Sequence, residues 1–307
     1  MPLHPDLAAM LAKAAGLPPM QTVPVDVIRA ADFKRYDIGV PKDDVHSVED
    51  RMITGPGGDI RIRIYRPDDA KGLPLTVFFH GSGFVICSID THDAMCRQIC
   101  NRGHSVVVSV DYRLAPENKF PAGPDDCYVA TVWAAAHAHE IGGDPTRLAL
   151  CGDSAGGCMA AVVAQRARDE DGPPIKAQIL LYPVTDHYSV ERPSYQERGV
   201  GFGLTRDGMM WFWDFYLGDP AHGAHPHASP MRAARFDNLP QTYLITGEYD
   251  LLRDEGEDYA AALIRAGVPV TFKRYHDMNH GFLNWVGLVD RSTEAMDALA
   301  LWMRQTL

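Results

Sequence analysis

The sequence predicts an α/β fold built on a mainly parallel sheet with helices on both faces. Short apolar runs rich in β-branched residues alternate with helix-like stretches along most of the chain. Several of these runs are almost continuously apolar, as expected of parallel strands that are covered on both faces. This alternation of strand and helix indicates an α/β architecture. The predicted strands are 73–80, 105–112, 147–152, 177–184, 242–246 and 270–275, and the predicted helices are 91–101, 125–140, 155–170, 254–266 and 291–305.

An antiparallel hairpin is predicted to open this sheet. Between residues 60 and 65, isoleucines alternate with Arg61, Arg63 and Tyr65, which indicates a strand with one wetter face. Residues 46–54 are its expected partner, joined through the turn-rich stretch 55–58.

Two segments do not follow the alternation of strand and helix. The N-terminal part is mostly helical and interrupted by prolines, and the stretch from 186 to 230 is too long for a connection and rich in aromatic residues. We expect the long aromatic-rich insertion at 186–230 to form a lid or cap on one compact unit. Ordinary crossover helices are the alternative for the second segment.

Charge and composition exclude several classes of function. The 307 residues include 29 basic and 40 acidic side chains, a net charge of −11, with no lysine and arginine cluster. This balance argues against a nucleic-acid partner or an anionic membrane. No apolar run approaches the roughly 20 residues of a membrane span. The N-terminus lacks an export pattern, so we expect a cytoplasmic protein with reduced cysteines. The six cysteines stand singly, at Cys87, Cys96, Cys100, Cys127, Cys151 and Cys158.

The sharpest motif is Gly-Asp-Ser-Ala-Gly-Gly at 152–157, between a predicted strand and a predicted helix. This context is typical of the nucleophile elbow of α/β-hydrolases. A sharp turn there strains the backbone of Ser154 and admits only small flanking residues. The start of the helix would present free N–H groups, including that of Ala155, beside the serine oxygen. The alternative is that Ser154 only caps the helix.

A second motif, His-Gly-Ser-Gly-Phe at 80–84, ends an earlier strand. Small residues let backbone N–H groups approach a ligand oxygen, and acyl transfer needs such donors where negative charge develops. The amides of Ser82, Gly83 and Ala155 are the expected oxyanion hole. Without a nucleophile motif, the same residues would be read as a glycine-rich turn.

With these motifs the chain resembles the bacterial esterases of the hormone-sensitive-lipase group, within the α/β-hydrolases. The matching segments are 80–84, 111–117, 152–157, 182–183, 249–256 and 280–282. The resemblance implies an α/β-hydrolase fold and a homodimer. It also implies that residues 1–45 and 186–230 form a helical cap over the active site of an α/β core made of 46–185 and 231–307. One position departs from the family pattern: Ser82 stands where the family has the middle of three glycines. Its N–H is retained, while its side chain is expected to narrow the site or add a donor.

The base must follow the acid in the order serine, acid, histidine. His276 and His280 remain, and we favour His280 because Gly281 frees its loop and the segment matches the family's terminal signature. His276 is expected to pack or hydrogen-bond locally.

For the acid, Asp250 falls in the loop after a strand. Asp254 and Glu255 fall in a first helical turn, where the helix dipole favours acids without any catalysis. We therefore expect Asp250 to orient the histidine. Asp153 is expected to support the elbow.

These residues predict a carboxylic ester hydrolase that works through an acyl-enzyme, with Ser154, Asp250 and His280 as its triad and with no cofactor or metal. The partner is a small-molecule ester of short or medium acyl chain. A hydrolase-like binding protein, as in the plant gibberellin receptors that resemble this family, and an amidase or deacetylase are the alternatives. The predicted substrate contacts are Phe84, Phe202, Trp211 and Phe282.

Overall fold

The computed structural model describes residues 1–36 and 39–307, except for the side chains of 32–36. The expected cap segment 1–45 includes residues 37 and 38, which lie outside the described residues. The strands are β1 Ser47–Gly55, β2 Gly58–Arg66, β3 Leu73–Phe79, β4 Val106–Val110, β5 Gly143–Asp153, β6 Ala177–Leu181, β7 Gln241–Tyr249 and β8 Val270–Asn279. The helices are α1 Pro5–Ala14, α2 Val25–Tyr36, α3 Asp93–Gly103, α4 Ala122–Ala136, α5 Ala155–Asp169, α6 Pro193–Glu197, α7 Arg206–Tyr216, α8 Arg253–Arg265 and α9 Asp290–Thr306.

The eight strands form one sheet in the order β1-β2-β4-β3-β5-β6-β7-β8. Strand β2 is antiparallel to both of its neighbours, and every other neighbouring pair is parallel. The predicted α/β-hydrolase fold with an N-terminal antiparallel hairpin is therefore confirmed.

Helices cover both faces of the sheet. Every residue of β3, β4 and β6 is buried, as their continuous apolar sequences require. On one face α4 and α5 contribute to the core, and on the other α3 and α9 do. Burial of apolar surface on both sides is the main term that holds such a sheet in place.

The structure corrects two details of the prediction. Tyr65 was expected on the wetter face of β2, but it is completely buried and its hydroxyl donates to Asp93 of α3 over 3.0 Å. Strand β6 ends at Leu181 instead of 184, because Tyr182 has a φ of 39° and Pro183 lacks an N–H for the ladder.

The carboxyl ends of the parallel strands meet at one edge of the sheet. The predicted site residues follow directly from β3, β5, β7 and β8 at this edge, where open α/β sheets bind ligands. In the described ranges, no helix is long and apolar enough to cross a membrane.

Candidate active site

The turn from β5 into α5 holds Ser154 in a strained conformation. Ser154 has φ 55° and ψ −121°, a region that costs a residue other than glycine of order 1–3 kcal/mol. Its amide donates to the carbonyl of Leu181 over 2.9 Å, which fixes the turn against β6. A β-carbon on Gly156 would overlap the carbonyl oxygen of Phe79. The elbow therefore needs glycine for close approach of two backbones, and it aims the serine hydroxyl at the sheet edge.

The structure brings the three residues predicted as a triad into one hydrogen-bonded chain. His280 Nε2 lies 2.8 Å from Ser154 Oγ, and His280 Nδ1 lies 2.7 Å from Asp250 Oδ2. Asp250 is buried, and its other oxygen accepts the N–H of Leu252 over 2.9 Å. A carboxylate at Nδ1 holds the proton on that nitrogen and leaves Nε2 free to accept one from serine.

The other candidates for acid and base lie elsewhere. His276 is exposed and does not pack, but its Nδ1 lies 3.8 Å from a carboxylate oxygen of Glu248, so its partner is a local polar group. Asp254 is tied to Arg253 and to the backbone of Ser194. Among the described residues, the partners of His280 are Asp250 and Ser154, and neither His276 nor Asp254 takes part in this chain of hydrogen bonds.

Residues 80–86, here called the oxyanion loop, connect β3 to the segment before α3. Gly83 and Phe84 both have positive φ, 51° and 67°. In the described part of the chain, the amides of Ser82, Gly83 and Ala155 donate no loop or turn hydrogen bond. These three N–H groups are therefore available to a ligand.

Asp153 supports this loop as well as the elbow. Its carboxylate accepts the N–H of Gly81 over 2.6 Å and lies 3.4 Å from His92 Nε2. Burial raises the pKa of Asp153, but the neighbouring His92 and the bond from Gly81 outweigh burial and lower it below its ordinary value. A buried ionised carboxylate thus ties the oxyanion loop to the strand that carries the serine.

The hydroxyl of Ser82 is fully used within the loop. It accepts the N–H of Phe84 over 2.8 Å and lies 2.6 Å from the hydroxyl of Tyr112. Tyr112 donates its hydroxyl proton to the carbonyl of His80 over 2.7 Å. In the bond between the two hydroxyls, Ser82 is therefore the donor and Tyr112 the acceptor. The expectation that this side chain adds a donor to the site is therefore wrong: it braces the loop. The nearby ring of His80 is neutral, because burial lowers its pKa to about 3.

Helix α7 covers the oxyanion loop with one face. Its buried residues repeat at helical spacing, at Met209, Phe212, Trp213 and Tyr216. A β-carbon on Gly83 would lie 2.5 Å from the ring of Phe212. Phe84 stacks on Tyr216, with ring centroids 4.0 Å apart. Phe212 was missed in the sequence, although the spacing of aromatic residues would have placed it on the buried face.

The predicted substrate contacts occupy different surroundings. Trp211 is half-buried beside Phe215, and Phe202 packs on Tyr249 while its carbonyl accepts from Asn279. Phe84 is buried in the stack under α7.

Phe282 is buried as well, like Phe84. It has no exposed surface and packs between Tyr182 and Tyr275, at 5.3 and 5.1 Å between ring centroids. It supports the His280 loop from inside the core instead of facing a ligand.

A second buried carboxyl group, Glu255, joins α8 to the segment that leaves β6. It accepts the N–H of Thr185 over 2.8 Å and the hydroxyl of Tyr195 over 3.1 Å. Burial raises its pKa to about 8. Sequence reasoning assigned Glu255 only to the helix dipole, since its buried position depends on packing.

No described group of three or more His, Cys, Asp and Glu side chains is arranged to hold a metal ion. The histidine-rich loop at 221–227 is not among such groups. There His225 Nδ1 accepts the backbone N–H of His227 over 3.1 Å.

Comparison with known proteins identifies the family. Residues 76–284 match a family of alpha/beta hydrolase fold. Esterase LipI of Mycobacterium tuberculosis is 39% identical, over 99% of this chain and 96% of its own. Ethyl acetate hydrolase of Pseudomonas putida is 32% identical over the full length of both. The solved structure of a hyperthermophilic esterase from the archaeon Pyrobaculum calidifontis superposes with a TM-score of 0.95, at 41% identity and 99% coverage of both chains.

The chain therefore belongs to the α/β hydrolases, in the group of bacterial esterases similar to hormone-sensitive lipase. It is an enzyme of the carboxylic ester hydrolase class.

Proposed function

We propose that the protein is a serine carboxylesterase that hydrolyses short- to medium-chain acyl esters through an acyl-enzyme intermediate. Ser154 is the nucleophile, His280 the general base and acid, and Asp250 the group that orients His280. The observation that supports this most directly is the unbroken chain of two hydrogen bonds, 2.8 and 2.7 Å long, through both nitrogens of His280. The positive φ of Ser154 adds support, since strain of this kind clusters at functional sites.

Acylation begins when His280 Nε2 takes the proton of Ser154 Oγ while that oxygen bonds to the ester carbonyl carbon. The electron pair of the C=O bond moves onto the carbonyl oxygen, which the N–H groups of Ser82, Gly83 and Ala155 stabilise. Each such donor is worth roughly 3–4 kcal/mol of barrier. The bond to the alcohol oxygen then breaks, and His280 gives its proton to that oxygen.

Deacylation repeats these steps with water. His280 takes a proton from a water molecule whose oxygen attacks the acyl carbon. The oxyanion that forms is stabilised by the same three N–H groups. When it collapses, Ser154 Oγ leaves and regains its proton from His280, and the carboxylic acid is released. Every step uses side chains and amides of this chain, so the proposed chemistry requires no cofactor.

The surroundings of the oxyanion loop support the proposed acyl range. Phe212 lies against Gly83, and Phe84 is stacked under Tyr216, so buried aromatic rings take up the space next to the donors. The relative from Pseudomonas putida is named for hydrolysis of ethyl acetate, an ester with a two-carbon acyl group. Phe202 and Trp211, which are only partly buried, remain proposed substrate contacts, and Phe84 and Phe282 are proposed to support the site from inside the core.

We further propose that residues 1–45 and 186–230 form a cap over the site. Helix α7 contacts the short turn Met20–Thr22 of the N-terminal segment. The amide of His4 donates to Asp277 of β8 over 2.9 Å, and Leu7 of α1 is buried. These contacts support the proposed cap, because they link the two segments to each other and the N-terminal one to β8.

The test is an ester panel, from p-nitrophenyl acetate to palmitate, with four variants. Ser154→Ala and His280→Ala are expected to stay folded and to lose turnover by roughly 10⁵-fold or more. The matched controls are His276→Ala on β8 and Ser47→Ala on β1, both away from the site. Both variants should retain wild-type turnover.

An active Ser154→Ala protein, or loss of activity in His276→Ala instead of His280→Ala, would refute the assignment. A maximum at palmitate would refute the acyl range alone. A wild-type protein that binds esters without turnover would support the binding-protein alternative.

Pairing into a homodimer and a cytoplasmic location stay predictions of the sequence. Light scattering of the purified protein tests the first, and cell fractionation tests the second.

A further inference from the structure

Arg29 of the N-terminal segment reaches the oxyanion loop. Arg29 lies on α2, and its Nε donates to the carbonyl of Val85 over 2.8 Å. Its Nη2 donates to the carbonyl of Ala115 over 2.7 Å. These two acceptors belong to separate loops, one after β3 and one after β4. The guanidinium therefore joins three segments of the chain at one point.

The carboxylate of Glu117 also pairs with this guanidinium. Its two oxygens lie 2.9 and 3.0 Å from Nη1 and Nη2 of Arg29. Glu117 is 58% exposed and Arg29 is 29% exposed, so the ion pair by itself adds little stability. The two backbone carbonyls are the more consequential partners, because only the planar fork of an arginine can serve both together.

Val85 belongs to the same turn as the proposed oxyanion donors. The amides of Val85 and Ile86 both donate to the carbonyl of Ser82, over 3.0 and 2.9 Å. The carbonyl of Phe84 accepts the N–H of Ala115 over 3.0 Å. Arg29 thus fastens the far end of this turn, while Tyr112 and Asp153 hold its start.

The turn needs such support. A positive φ at Phe84 persists only where the surroundings determine the conformation, since the residue has a side chain. Without Arg29 the carbonyl of Val85 loses this hydrogen bond to the N-terminal segment, and the peptide planes that present the donors are held less firmly. A donor that moves away from the oxyanion loses much of its effect on the barrier.

We propose that Arg29 is a positioning residue that holds the oxyanion loop in its donor-presenting conformation, so that the rate of ester hydrolysis depends on docking of the N-terminal segment. The proposal rests on the proposed esterase function. It predicts an effect on transition-state stabilisation that greatly exceeds any effect on substrate binding.

The experiment compares Arg29→Met, Arg29→Lys and Glu117→Gln with wild type on p-nitrophenyl butyrate. We expect Arg29→Met to lower kcat at least about tenfold and to change KM less than about threefold. The inhibition constant of a trifluoromethyl ketone, which forms a tetrahedral adduct with the nucleophile, should weaken by the same factor as kcat/KM. For Arg29→Lys, both kcat and the inhibition constant should lie between those of wild type and Arg29→Met. Glu117→Gln leaves both carbonyl bonds in place and is the matched control, with kcat within about threefold of wild type.

An Arg29→Met protein with wild-type kcat would overturn the proposal, as would a loss confined to KM. Circular dichroism at the assay temperature establishes that each variant is folded. If Arg29→Met is unfolded, Arg29→Lys decides, because unchanged kcat and inhibitor affinity there would also overturn the proposal. Failure of the proposed function is distinguishable: the wild-type protein would then hydrolyse no ester, or Ser154→Ala would remain active.

Discussion

Replacing Glu255 with glutamine tests whether burial raises the pKa of this carboxyl group and makes stability depend on pH. The carboxyl group is fully buried, and burial raises its pKa to about 8 from an ordinary value of 4.5. Arg192 favours its ionisation and Asp186 opposes it, but neither outweighs burial. A carboxamide keeps an acceptor for the N–H of Thr185 and offers a donor to the hydroxyl of Tyr195, so Glu255→Gln should fold.

The pH dependence of stability follows from this pKa. Between pH 4.5 and 8 the folded protein holds a proton on Glu255 that the unfolded chain has lost. The free energy of unfolding therefore falls as pH rises through this range, by up to about 1.4 kcal/mol per pH unit. Between pH 6 and pH 9 the loss is about 3 kcal/mol, after which the folded carboxyl is ionised and the effect is complete. Glu255→Gln has no carboxyl group at this position, so it lacks this pH-dependent loss of stability.

Urea unfolding of both proteins at pH 6 and pH 9 measures the difference. The stability of Glu255→Gln relative to wild type should rise by about 3 kcal/mol between the two pH values, because only wild type ionises a buried group. All other titrating groups are shared and cancel in this comparison. An equal change in the free energy of unfolding of the two proteins between pH 6 and pH 9 would refute the reasoning. A variant that becomes less stable relative to wild type at pH 9 would contradict its sign.

Two further substitutions test the packing around the elbow and the oxyanion loop. Gly156→Ala places a β-carbon on the carbonyl of Phe79 and should lower the thermal midpoint by roughly 5–10 °C. Gly16→Ala, where nothing lies within 4 Å, should leave the midpoint unchanged, and equal midpoints in the two variants would contradict the close approach. Phe212→Ala opens space beside Gly83 and should raise kcat/KM for the octanoate ester relative to the acetate ester roughly tenfold. Phe215→Ala, on the Trp211 side of α7, is its control, and an equal change there would contradict the role given to Phe212.

The sequence predicted the fold and the arrangement of the triad residues because their signals are local. The elbow at 152–157 carries its glycines, its strand and its helix within a few residues of Ser154. Asp250 and His280 each follow a strand directly, and the ends of parallel strands meet at one edge whatever the loops do.

Contacts between distant segments escaped the sequence analysis. The partner of Ser82 is Tyr112, on a loop that comes near only because β3 and β4 pair side by side. One partner of Arg29 is the backbone carbonyl of Val85, 56 residues away, and a carbonyl has no sequence signature. Tyr65 is buried because α3 covers it, which the alternation along β2 alone does not reveal.

The face of α7 is an intermediate case. The spacing of Met209, Phe212, Trp213 and Tyr216 identifies a buried face from the sequence alone. It does not identify the element that this face covers, so Trp211 was chosen from the aromatic run and Phe212 was not. Only the position of α7 over Gly83 relates that face to the oxyanion loop.

Locating the adduct of a fluorophosphonate probe tests the central claim most directly. Intact-mass measurement and peptide mapping should find one adduct per chain, on Ser154, with labelling abolished in Ser154→Ala and strongly slowed in His280→Ala. An adduct on another residue, or labelling at the wild-type rate without His280, would contradict the account.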